Sequence, residues 1–177
     1  SELSSSNVDN ASKVLVKFSR LMRESLNFSS EDEINLEDEI RFVQNYFHLE
    51  SLRTDYKLEL IINFDEKLAE VKIPPLIIQP LVENAIIHGI LTSGSSAGTV
   101  VVTIEKIKDC LCIKVQNTGT AVQEDFTIPE SSKGLTIIKK RLSLLKPPGN
   151  LNYRRINNDN FDTEFEIKIP LKNDSNT

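Results

Sequence analysis

Only two of the 177 residues are cysteines, and Cys110 and Cys112 stand one residue apart in an alternating run that points both to the same strand face. That placement is poor for a disulfide, and no His or second Cys pair offers zinc-ligand spacing. The pair therefore reads as reduced, structural thiols of a cytoplasmic domain. Any apolar run approaching the roughly 18 residues needed to span a bilayer is missing, and no charged-then-apolar signal segment opens the chain. The sequence thus reads as soluble. Net charge is -5 and pI about 5.2, and no Lys/Arg cluster carries interleaved aromatics, so a nucleic-acid footprint is absent. Residues 1–10 are polar and do not begin with Met, and the chain is expected to be a piece of something longer.

With 39% hydrophobic residues, the chain suffices for one ordinary core with an appended helical element. Val14, Leu15, Phe18, Leu21 and Met22 recur at helical spacing and predict a helix over 9–26 whose single apolar stripe needs a partner. Asn35 is placed as an N-cap before the acidic turn Glu37, Asp38 and Glu39; Leu36, Ile40, Val43 and Phe47 mark the second helix. Phe42, Tyr46 and Leu49 give that helix another stripe, which suits either contact with two bodies or deep burial. From Tyr56 the period falls to two, and Leu58, Leu60, Ile62 and Phe64 mark a strand with one buried face. Val100, Val102 and Ile104, then Leu111, Ile113 and Val115, predict a hairpin after a Ser/Gly loop over 94–98. Residues 117–133 read as a long lid or binding loop. Leu135, Ile138, Leu142 and Leu145 define a short helix stopped by Pro147-Pro148-Gly149, and two more strands follow around a turn at 157–160. This order predicts an α+β fold, a two-layer sandwich of a mixed sheet with helices on one face, preceded by a helical arm.

The chemistry concentrates in Gln79-Pro80-Leu81-Val82-Glu83-Asn84-Ala85-Ile86-Ile87-His88-Gly89. Leu81, Val82, Ala85, Ile86 and Gly89 form one apolar or small stripe, while Glu83, Asn84 and His88 share the opposite side. Pro80 falls in the first turns or makes a kink. An acid, a carboxamide and an imidazole on one face can hold a hydrated divalent cation and a polyphosphate, because magnesium takes few protein oxygens and keeps several waters. Asn117, at a strand end, would accept from a base; Gly119 and Gly134 would bracket the lid and let backbone approach phosphates.

The run resembles the N box of the GHKL ATP-binding fold, and QPLVENAIIHGI in particular is similar to that of LytS/YehU-type sensor histidine kinases. The resemblance covers nearly the whole chain: ASKVLVKFSRLMRESL, LEDEIRFVQNYFHLESLR, the N box, VQNTG in place of a G1 box, KGLTIIKKRLSLL in place of a G2 box, and the closing DTEFEIKIP. It implies a catalytic and ATP-binding domain that transfers the γ-phosphoryl of magnesium-ATP to a histidine on a helical hairpin, starting a two-component relay. Carried onto this chain, it implies Glu83, Asn84 and His88 as catalytic residues, Asn84 as the metal ligand, and Asn84, Asn117, Gly119, Gly134, Leu135 and Thr163 as nucleotide contacts. It also implies residues 1–30 as the end of the dimerisation helices, 31–54 as a connecting helix, 55–172 as the catalytic domain, and 173–177 as a disordered tail. The implied partners are the chain's own dimerisation hairpin, a second copy in a homodimer and a response regulator, with no nucleic acid. Membrane contact would come only through an N-terminal part outside this chain, making this the cytoplasmic domain of a bacterial inner-membrane sensor.

Several positions depart from the family pattern. The usual G1 aspartate is Asn117, the second G1 glycine is Ala121, the first G2 glycine is Ser132, Ile137 occupies the place of a common Asn, and Ile87 stands where a Lys often meets phosphate. The acceptor motif His-Phe-Leu-Phe-Asn does not occur, and His48 reads as a structural or surface histidine. These departures keep open a degenerate, non-catalytic GHKL module that signals and dimerises. A GHKL ATPase or anti-sigma-type serine kinase fits the core but not the two leading helices.

Overall fold

A computed structural model describes residues 2–121, 132–156 and 161–171. The first helix, α1, runs over Glu2–Ser29, longer at both ends than its apolar stripe suggests. The stripe marks where apolar side chains recur, whereas the backbone hydrogen-bond ladder of a helix runs on through residues of any polarity. A two-stranded ribbon, β1 at Ile34–Asn35 paired with β3 at Lys72–Ile73, flanks the second helix, α2, at Leu36–Arg53. Asn35 sits at the N-cap of α2 but its side chain makes no capping hydrogen bond. Instead Leu36 and Glu37 donate their N–H groups to Val71 and Ala69 carbonyls, so tertiary backbone contacts satisfy two of the orphan donors.

Helix α2 touches two bodies, as its double stripe suggested. Ile40, Val43 and Phe47 enter the main core, while Phe42 and Leu49 form a smaller cluster with Leu21 of α1. Phe28 joins this seam, its ring centroid 5.6 Å from that of Phe42. The arm therefore packs on α2, and Phe18 and Met22 stay exposed. Among the described residues no helix is long and apolar enough to cross a membrane.

The main sheet holds β2 (Lys57–Phe64), β4 (Ala97–Ile107), β5 (Cys110–Asn117), β6 (Asn150–Arg155) and β7 (Thr163–Pro170) in the order β2-β4-β5-β7-β6. Strands β2 and β4 run parallel and the other pairs antiparallel, giving the expected mixed sheet. The parallel pair requires a crossover, and that crossover carries the helical Gln79–Ile90 segment across the sheet. Gly98 belongs to β4 rather than to the loop before it; a Cβ there would run into the Ile90 side chain at 2.4 Å. Inward-facing Val100, Val102, Ile104, Leu111, Ile113, Val115, Phe165, Ile167 and Ile169 meet the helices on one face.

Cys112 is buried on the opposite face, and burial followed by the charge of Glu166 pushes its thiol above the ordinary range. It stays protonated and inert, and both thiols are free. The expected turn at 157–160, most of the lid and the terminal tail lie outside the described residues.

Candidate functional site

The N-box segment opens with Pro80 in the first turn of α3, which spans Gln79–Asn84, where a missing N–H costs nothing. From Ala85 to Ile90 the helix widens to π geometry, closed by the Leu91 N–H donating to the Ile86 carbonyl at 2.9 Å. Such widened turns recur at functional sites. Leu81, Val82, Ala85, Ile86, Gly89 and Ile90 are buried, whereas Glu83 and Asn84 are half-buried and Ile87 and His88 exposed. The polar face predicted from the sequence is the face left open.

Opposite it stands the start of α4, Lys133–Ser143. A Cβ on Gly134 would lie 3.1 Å from the Pro80 Cβ, so glycine there lets α4 close on α3. Between them lies a cleft of about 270 Å³ that brings together Glu83, Asn84, His88, Gly134 and Leu135 with Ile87, Ser132 and Lys133. Five of the sequence-predicted residues thus share one cavity. Lys133 escaped the sequence reading, and it lines this cleft together with Ile87.

Asn117, Gly119 and Thr163 form a second group at the end of the sheet. Asn117 and Thr163 are register partners across β5 and β7, and both are buried. The Asn117 side-chain amide donates to the Thr118 carbonyl at 3.0 Å. Gly119 has φ +117, a conformation open to glycine, and a Cβ there would strike the Gly89 carbonyl oxygen. That same carbonyl accepts the Thr120 N–H at 2.9 Å. A Cβ on Gly89 would in turn lie 2.2 Å from the Asn117 side-chain nitrogen. Gly89 is therefore the joint between the two groups: its lack of a side chain lets the N-box helix, Asn117 and the backbone at Gly119 meet.

Asp162 also escaped the sequence reading. Its Oδ2 accepts the Gly119 N–H at 2.8 Å and its own N–H donates to the Asn117 carbonyl at 3.0 Å, fastening the start of the lid to the sheet. An acid three residues before a strand's first buried aromatic carries no periodic signal, so nothing in the pattern singled it out.

The electrostatics of the cleft run through α2. Glu83 accepts a hydrogen bond from the Gln79 side-chain amide at 3.0 Å. Burial, and then the charge of Glu83, push the Tyr46 phenol well above its usual range, so it remains a neutral hydroxyl beside that carboxylate. His48 is exposed on the far side of α2 with Nε2 2.7 Å from Lys17 Nζ, a surface histidine as expected. Ala121 lies at the edge of the described lid, and Ile137 is exposed on α4.

A family model described as histidine kinase matches residues 1–58. Over 171 residues the chain is 30% identical to the sensor histidine kinase YpdA of Escherichia coli, covering 93% of this chain and 29% of that protein. It is 29% identical over 174 residues to the sensor protein LytS of Staphylococcus epidermidis, again covering 93% of this chain and 29% of the relative. The chain thus spans less than a third of the length of these curated relatives. Among solved structures, the histidine kinase domain of the Erythrobacter litoralis EL346 blue-light activated histidine kinase superposes with a TM-score of 0.59 at 19% identity, covering 96% of this chain and 83% of that one. That likeness fixes the fold: the mixed five-stranded sheet with helices on one face is that of a histidine kinase catalytic domain. Sequence relatives and fold agree: over 93% of its length the chain is homologous to sensor histidine kinases of the LytS and YpdA kind.

Proposed function

We propose that this chain is the ATP-binding and catalytic part of a two-component sensor histidine kinase, handing the γ-phosphoryl group of magnesium-ATP to a histidine on a helical hairpin outside this chain. The observation that carries the reading is the joint at Gly89, which sets the polar N-box face and the Asn117 corner side by side along one helix. A nucleotide needs both: a cleft for phosphates and a buried polar corner for the base.

In this reading Asn117 accepts from the adenine amino group, with Thr163 beside it across the sheet. Gly119, Gly134 and Leu135 border the phosphates, and Lys133 adds positive charge at the cleft. The donor set also fits a magnesium ion. Among the described residues no group of three or more His, Cys, Asp or Glu side chains could hold a metal, and a magnesium ion shared with phosphates needs one or two protein oxygens. The Asn84 carboxamide would supply one from the cleft wall. A magnesium ion held there would supply positive charge against that of the phosphates. Glu83, oriented by Gln79, and His88 shape the polar surroundings of that position.

The domain division belongs to the same reading. Residues 1–30 would close the dimerisation helices, 31–54 form the connecting helix that belongs to both clusters, and 55–172 make the catalytic domain. The partners in this reading are the absent hairpin, a second copy in a homodimer and a downstream response regulator. Placement in a membrane-anchored sensor, with this part on the cytoplasmic side, belongs to the same reading.

The isolated chain is expected not to label itself on histidine. His88 is on the nucleotide side of the helix, and His48 is tied to Lys17 outside any acceptor motif, so neither offers a ring nitrogen in line with the γ-phosphate. Adding the hairpin, in the full cytoplasmic protein, should produce acid-labile phosphate located on the hairpin. Robust acid-labile phosphate on this chain alone, mapped to His48, would overturn the role assignments.

A further inference from the structure

We propose that Glu39 is a positioning residue that ties the N-box helix to the connecting helix α2, so that the placement of Asn84 in the cleft follows the placement of α2. The inference rests on reading that cleft as the nucleotide site. Glu39 lies in the first turn of α2 and is fully buried, rare for a glutamate without partners. Its partners come from the approach to the N box, 37 to 40 residues away. Oε2 accepts the Leu76 N–H at 2.6 Å, and Oε1 accepts the Ile78 N–H at 2.9 Å and the Gln79 N–H at 3.4 Å.

These bonds do two things that nothing local does. Leu76 has φ 54, a left-handed conformation that a leucine holds only when its surroundings impose it. Ile78 and Gln79 carry N–H groups at the start of α3 that have no partner within the helix, and no capping side chain of Ile78 satisfies them. One carboxylate answers both needs from across the core. On α4, Arg141 has a buried Nη1 with no hydrogen-bond partner; burial pulls its guanidinium below the ordinary range, and the charge of Glu39 acts against that shift. Seven residues along α2, two turns on the same face, Tyr46 stands beside Glu83. Helix α2 therefore meets the N-box helix at its entry, through Glu39, and again near its acidic residue, through Tyr46.

A glutamine at 39 keeps the shape but replaces one accepting oxygen with an NH₂ group that cannot accept, leaving either Leu76 or the Ile78 pair opposed by a donor. The test compares amide hydrogen exchange of this chain, residue by residue, in the wild type, Glu39→Gln, Glu39→Asp and Leu151→Ala, with magnesium-ADP affinity measured in parallel. Leu151 is a buried core residue on the edge strand β6 and serves as a destabilised control away from the cleft. In Glu39→Gln, exchange is expected to quicken about tenfold or more at Leu76 and Ile78 and also at Asn84, Ala85 and Ile86, while the control leaves those amides unchanged relative to the rest of the chain. Magnesium-ADP affinity should fall about tenfold with it and be kept in the control. Glu39→Asp keeps the carboxyl group but falls short by one methylene, so it should show the same pattern at smaller amplitude; it decides the matter if the glutamine variant does not fold.

Faster exchange confined to 76–79, or the same pattern in Leu151→Ala, would overturn the proposal. Failure of the wild type to bind nucleotide would sink the reading of the cleft instead, and the exchange pattern would still judge the link through Glu39.

Discussion

Asn84→Ala is expected to abolish the magnesium-dependent part of nucleotide binding, lowering affinity for magnesium-ADP about 100-fold, or about 2.7 kcal/mol, to the level seen with the metal chelated. The reasoning is local. Asn84 sits on the open side of the N-box helix, half-buried, in the cleft wall, and its carboxamide oxygen is the hard donor assigned to the ion. Because the side chain lies outside the apolar core, its loss should change unfolding free energy by no more than about 0.5 kcal/mol. Calorimetric titrations with magnesium and with chelator separate the two effects. Unchanged magnesium dependence would place the ion elsewhere.

A second large loss is expected from a single methyl group. Gly89→Ala puts a Cβ 2.2 Å from the Asn117 amide nitrogen and 3.0 Å from its Cγ. Asn117 cannot retreat as a whole, since its backbone is locked in β5 between Val100 and Thr163. Its side chain must swing or the helix must shift, and either removes the buried acceptor from the base. Nucleotide affinity should drop at least about 100-fold, with magnesium and without it, and binding of adenosine alone should fall in parallel. This pattern differs from that of Asn84→Ala, which spares the metal-free component. Wild-type adenosine binding by the Gly89→Ala protein would show that Asn117 is not the base acceptor.

The sequence made the site's polar face legible because Leu81, Val82, Ala85 and Ile86 bury at helical spacing, and the residues left over are the ones that reach the cleft. The strands were legible for the same reason at period two, and the mixed sheet with one covered face matches the expectation. The π turn was not. Ala85, Ile86, Gly89 and Ile90 would sit on one face of either helix, so the apolar pattern is blind to an extra residue in the turn. Gly89 was read only as a small member of the stripe; its meaning lies in a contact 28 residues away in sequence. Glu39 was read as one of three acids complementing the start of α2, since a carboxylate on a helix gives no sign of which backbone amides will turn toward it. Lys133 stood in a stretch read as loop and lid, and it becomes a cleft residue only because Gly134 lets α4 approach Pro80. Misses of this kind share one cause: each residue acts through a long-range contact, and periodicity reports only what a segment does with its own faces.

The central claim is that the N-box cleft and the Asn117 corner together take a nucleotide with its metal. Titration of this chain with magnesium-ADP, followed by calorimetry, tests it most directly. Saturable heat with a dissociation constant on the order of micromolar to millimolar is the expected result, the range for polar groups that position a solvated ligand. No heat at millimolar nucleotide, from a chain that is folded under the same conditions, would contradict it and leave a signalling and dimerisation module with a vestigial pocket.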